Sequence, residues 1–251
     1  MKRFLHAFVI GGAFGVVGQL FIFGWTAVLG AGNALVNPLT MVTMGALGLI
    51  LFVSGASSAL ERLTTMGVTI PISGMVIAIG GVTSGVKAET GSAGAGAKAG
   101  AGLPLRVLGT GALVSVILSA ILFFATHGSL ELQFDAVAMD ALADILLSFV
   151  VGGVIALIAE AILAITDAPL PVLLIAFIVA GAVMAAFNLD GAPLLNNGGF
   201  IVSLLAAGQA AYETFQVLLM GITPIPFVTV LCVYLAVTVL GIVAGLIKRS
   251  Q

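Results

Sequence analysis

The sequence predicts an all-α polytopic membrane protein: six transmembrane helices plus two broken, re-entrant short helices, arranged as a 3+3 inverted repeat. Three observations predict it. Of 251 residues, 61% are hydrophobic and 7% charged, whereas a soluble domain has roughly a quarter of its residues charged. So few charges cannot cover a water-facing surface. Next, Phe8-Val-Ile-Gly-Gly-Ala-Phe-Gly-Val-Val-Gly-Gln19 returns later as Phe149-Val-Val-Gly-Gly-Val-Ile-Ala-Leu-Ile-Ala-Glu160. Both copies open Phe-Val-[Ile/Val]-Gly-Gly, and both place one polar residue, Gln19 or Glu160, at the twelfth position. Finally, each copy is followed by the same succession of long apolar runs and one interrupted run. A repeat of this kind decides the whole fold. It divides the chain into a first repeat (1–127), an acidic connecting loop (128–144) and a second repeat (145–251).

A spanning helix needs about 20 mostly apolar residues. Residues 4–30 supply the first, with Trp25 suited to an interface near its end. This run is too long for the ~7–15 residue core of a cleaved signal, so it is expected to stay as a membrane helix. The Asn37-Pro38 break leads to a second span over 39–60, which stops at Glu61-Arg62. Residues 69–86 form the first broken segment, with Pro71 and Gly74 in apolar surroundings and Gly80-Gly81 midway. A small-residue tract over 89–102 reads as a low-complexity loop, and 105–126 as the third span. The second repeat offers spans at 145–165 and 172–188, a broken segment over 190–220 headed by Pro193, and a last span ending at Ile247.

The eight Lys and Arg residues set the orientation, because such residues near membrane ends stay on the cytoplasmic side. If both broken segments dip in and return on one side, all eight lie inside, with both termini cytoplasmic. Full crossings would strand Lys87, Lys98 and Arg106 outside. The re-entrant arrangement gives each half an odd number of crossings, so the halves are inverted. Non-helical backbone is not tolerated against lipid. Paired Pro/Gly-interrupted segments therefore point to a substrate path.

Candidate path residues follow. Glu160 lies well inside a span, where an ionisable group costs at least ~2.5–3.5 kcal/mol and needs water or a partner. It reads as a path-lining carboxylate or as a protonated group bonded to a neighbouring helix; Gln19, its counterpart, reads as interhelical glue or part of the same route. The turns Pro71-Ile-Ser-Gly74 and Pro193-Leu-Leu-Asn-Asn-Gly-Gly199 each precede a short helix whose first amides favour an anion. Ser73, Asn196 and Asn197 would add neutral donors or acceptors there; a plain helix break explains the same residues. Lys87 and Glu89, with Glu213 in the second half, are surface caps or a possible gate. Cys232 is the lone cysteine, so no disulfide or cysteine metal site is expected. No metal-spaced cluster, nucleophilic triad, cofactor motif or nucleic-acid-binding basic stretch is visible; the reading is of a non-enzyme without metal or cofactor.

The segment 7–19 resembles the opening helix of the stage V sporulation proteins AC and AE, the SpoVA family. Val68-Thr-Ile-Pro-Ile-Ser-Gly74 is similar to their [AV]-x-[VI]-P-[IV]-[ST]-G motif, followed by Lys87-Ala-Glu89 at a similar distance. The order of elements over about residues 7–126 fits one whole member, with the second half as a diverged tandem copy. One departure is clear: the family continues Gly-Phe-x-Asn, whereas this chain has Gly74-Met-Val-Ile77. The resemblance implies a channel or transporter for a small anionic solute, of dipicolinate type, in a bacterial inner (cytoplasmic or spore inner) membrane. It also implies tension-sensitive behaviour and assembly with other membrane subunits or copies of itself. The alternative is a non-conducting scaffold subunit of a larger membrane complex.

Overall fold

The computed structural model describes residues 2–125, 140–166, 168–187 and 197–248. These form eleven helices: α1 (Lys2–Leu29), α2 (Val36–Val53), α3 (Ala56–Glu61), α4 (Met66–Thr69), α5 (Ile72–Thr90), α6 (Ala93–Ala125), α7 (Ala141–Ile165), α8 (Leu170–Ala186), α9 (Gly198–Ile201), α10 (Leu204–Leu219) and α11 (Ile225–Ile247). Five of them, α1, α2, α6, α7 and α11, are long and apolar enough to cross a membrane, and α8 is apolar but 17 residues long. Large apolar side chains such as Leu5, Leu105, Phe124 and Leu235 stay more than 60% exposed. Such a surface is stable only against hydrocarbon, and the protein is an integral membrane protein.

The central contact is between α1 and α7, which run antiparallel: Arg3 meets Glu160, Gly11 meets Gly152, and Gln19 meets Ser148. The two copies of the repeated phrase therefore lie on each other. A Cβ added at Gly11 would stand 2.7 Å from the Gly152 carbonyl oxygen, and one at Gly152 would stand 2.6 Å from that of Gly11. Gly12 faces Phe149, Gly153 faces Phe8, and the two rings meet edge to face at 5.6 Å. Glycine at these positions is required for the backbones to approach this closely, the usual device for helix pairs in lipid.

From α1 outward the two ends of the bundle can be told apart. Arg3 marks the near end, where α2 finishes and α4 starts. The chain enters there through α4, breaks at Pro71, and turns back along α5. Ser73 packs on Gly48 and Gly80 on Phe52, so α5 runs toward the end of α2. Its last turn reaches the end of α11, where the Lys87 ammonium donates to the Leu246 carbonyl at 2.7 Å. Both ends of residues 62–90 thus lie at one end of the bundle. Residues 197–219 do the same from the far end. Leu205 packs on Gly181 and Gly208 on Ile178, while Ser119, near the end of α6, donates to the Tyr212 carbonyl at 3.0 Å.

Local departures from the sequence expectations have physical causes. The small-residue tract 89–102 is no loop: α6 begins at Ala93. Its glycines let it close on α5, with Gly96 against the Thr83 carbonyl and Gly100 against the Thr83 side chain. The first broken segment is helical over Met66–Thr69 and Ile72–Thr90, reaching beyond 69–86 on both sides, and the second over Gly198–Ile201 and Leu204–Leu219. Helix α7 starts at Ala141, inside the stretch expected to be connecting loop.

Candidate functional site

Two helix breaks meet in the middle of the bundle. Pro71 has no amide proton to continue the helical ladder; Ile70 before it still holds helical dihedrals, at φ −66° and ψ −40°, and the backbone opens at Pro71 itself, at φ −60° and ψ 150°. Ser203 is extended as well, at φ −88° and ψ 163°. The two extended residues pair antiparallel. The Ile72 amide donates to the Val202 carbonyl at 2.7 Å, and the Leu204 amide donates to the Ile70 carbonyl at 3.1 Å. Each break thus satisfies the backbone groups the other leaves open, which buried polar backbone requires. Gly74 is the tightest point of the first turn, since a Cβ there would stand 2.2 Å from the Val68 carbonyl oxygen.

A polar cap holds each short helix leading to this joint, and each comes from the other half of the chain. The Glu160 carboxylate accepts from the Met66 amide and from the Thr64 hydroxyl, both at 2.8 Å. It also forms an ion pair with Arg3, whose guanidinium donates to the Thr65 hydroxyl at 2.8 Å. Glu160 is 1% exposed and Arg3 57% exposed, so the pair joins the buried cap to the aqueous end. At the far end the Gln19 side-chain carbonyl accepts from the Gly198 amide at 2.7 Å and from the Ser148 hydroxyl at 2.9 Å. The positions correspond: Met66 stands five residues before Pro71, and Gly198 five before Ser203. One cap is a paired carboxylate and the other a neutral amide.

The joint itself is closed. Ile70, Ile72, Met75, Phe200, Val202 and Leu204 surround it, all 2% exposed or less. The substrate path expected from the sequence is filled at this depth by packed side chains. Helix-start amides expected to attract an anion are also engaged: that of Ile72 by the Val202 carbonyl and that of Gly74 by the Pro71 carbonyl, and those of Gly198, Gly199 and Phe200 by Gln19 and Asn197.

Of the residues singled out from sequence, Gln19, Pro71, Gly74, Glu160 and Asn197 belong to this assembly. Ser73 belongs too; its hydroxyl is buried without a hydrogen-bond partner among the described residues. Pro193 and Asn196 lie outside the described residues. The residue that pairs with Pro71 is Ser203, and each follows a single helical turn, Met66–Thr69 or Gly198–Ile201. Lys87 caps the carbonyl end of α11 and Glu89 is exposed at the near end. Glu213 lies toward the far end and accepts from Gln209 at 2.7 Å, so these three do not form one gate. Sequence reasoning missed Arg3, Thr64, Ser148 and Ser203. Only Ser203 carried a signal, as a capping residue before a helix within an apolar run.

No family model, curated protein or solved structure matches the chain. The reading of this site rests on its own geometry.

Proposed function

We propose that this protein is a membrane channel or transporter for a small solute, held here in a closed conformation. In this reading α8 is the sixth span, residues 62–90 and 197–219 are re-entrant, and the halves form an inverted 3+3 repeat in a bacterial inner membrane with both termini cytoplasmic. The observation that carries it is the joint between Pro71 and Ser203. Two oppositely directed chains end at mid-bundle and are tied by two backbone hydrogen bonds, each with a net contribution of about 0.5–1.5 kcal/mol. A continuous helix would be a far stronger plug. The unpartnered Ser73 hydroxyl, two residues beyond Pro71, supports a second conformation in which it finds water or solute.

Opening would separate the two breaks while Glu160 and Gln19 keep the short helices seated. Glu160 is paired with Arg3 at the edge of this assembly, so the pair supplies its charge-dependent element. Preference for an anion of dipicolinate type rests on the resemblance to the sporulation proteins. The filled centre favours a second reading, a scaffold subunit that conducts nothing and holds other membrane subunits. Purified protein in liposomes separates the two. Release of entrapped anionic dye or dipicolinate, altered by Glu160→Gln and accelerated by osmotic downshift, supports transport. Liposomes as tight as protein-free controls under both conditions support the scaffold.

A further inference from the structure

At the near end, between the α2–α3 turn and the last turn of α11, lies a cavity of about 610 Å³ bordered by Val53, Ser54, Ser58, Arg62, Ile247 and Lys248. We propose that it binds the phosphate-bearing headgroup of an anionic phospholipid. Its chemistry is divided as such a ligand demands. Arg62 and Lys248 supply two cations and the two serines supply hydroxyls, while Val53 and Ile247 continue onto the apolar outer surface. Val53 is 37% exposed, Ile247 56% and the nearby Ile50 60%, so acyl chains have a wall to lie along. The Lys248 ammonium is held 4.0 Å from the centre of the Phe52 ring, which fixes the charge beside the cavity. Gly55 turns the chain here at φ +80°, with open space where a side chain would stand.

Glu61 is the carboxylate that opposes this charge, acting on Lys248. Among the described residues, two cations against one carboxylate leave the cavity net positive. Basic pockets between helices at the cytoplasmic boundary are the usual seats of anionic headgroups. The inference rests on the membrane reading of the chain and not on the transport reading.

The full chain in detergent, titrated with phosphatidylglycerol or phosphatidylcholine and read by native mass spectrometry, tests it. Phosphatidylglycerol is expected to be retained preferentially. Arg62→Gln and Lys248→Gln are each expected to weaken it about fivefold, and the double variant about 25-fold. Glu61→Gln is expected to strengthen it. Thermal denaturation without added lipid confirms that the variants are folded. Equal retention of the two lipids, or indifference to the double variant, overturns the proposal. Charge-dependent stabilisation by millimolar inorganic phosphate with no lipid preference would identify a free-anion site, and overturns it as well.

Discussion

Replacing Glu160 tests the capping arrangement, because the two halves of the molecule answer the same need with different side chains. In Glu160→Ala the Met66 amide and Thr64 hydroxyl, at 0% and 1% exposure, lose their acceptor. Each buried orphan costs about 1–3 kcal/mol. Arg3 is more than half exposed, so its lost ion pair adds only about 0–1 kcal/mol. The sum is about 2–7 kcal/mol, centred near 4. Glu160→Gln retains a carbonyl oxygen that accepts both bonds and loses charge assistance and the ion pair with exposed Arg3, together about 1–2 kcal/mol. At roughly 2–4 °C per kcal/mol for a chain of this size, thermal unfolding in detergent should fall by about 10 °C for alanine and about 4 °C for glutamine. Equal shifts for the two variants, or an alanine shift under 2 °C, would refute the cap.

Other outcomes follow from the same geometry. Gln19→Glu places a carboxylate opposite a backbone amide and a serine hydroxyl, neither of them charged; it should destabilise by about 3 kcal/mol at neutral pH, and acid should restore stability in a pH series of melts. Gly208→Ala puts a Cβ 1.7 Å from the Ile178 carbonyl oxygen, and overpacking of about 2–3 kcal/mol should appear as a lowered melting temperature. Gly24→Ala, with nothing within 4 Å, should be neutral or stabilising by up to about 1 kcal/mol. Burial raises the Glu61 carboxyl above its ordinary value, with Lys248 opposing. The folded chain therefore takes up this proton at a higher pH than the unfolded chain, so stability should rise as pH falls through that raised value. Glu61→Gln should flatten that part of the stability profile.

Much of this fold was legible because its signals are local. Apolar runs of spanning length mark the long helices, and the two Phe-Val-[Ile/Val]-Gly-Gly phrases mark the surfaces on which α1 and α7 cross. The distribution of Lys and Arg favoured, by three charges, a return of residues 62–90 to the end they left. Other features depend on neighbours distant in sequence. The Gly/Ala tract at the start of α6 lacks apolar bulk, and only the close approach of α5 makes it helical. Ser203 breaks a helix without proline, because Ile70 and Ile72 offer its flanking residues backbone partners. Arg3 reads as a topological charge until Glu160, far along the chain, is placed beside it. The closed joint was illegible for the same reason, since alternating small and bulky apolar residues are compatible with either a route or a plug.

Accessibility of single cysteines to a membrane-impermeant maleimide, in vesicles of each orientation and in a Cys232→Ser background, tests the opposed entry of the two broken segments most directly. Reporters at Ser92 and Ile222, beyond the return helices α5 and α10, are compared with references at Ser54 and Asn33 at the two ends of α2. The account predicts that Ser92 labels with Ser54 from one face and Ile222 with Asn33 from the other. Labelling of Ser92 with Asn33, or of Ile222 with Ser54, would mean that a broken segment runs through the membrane, and would contradict it.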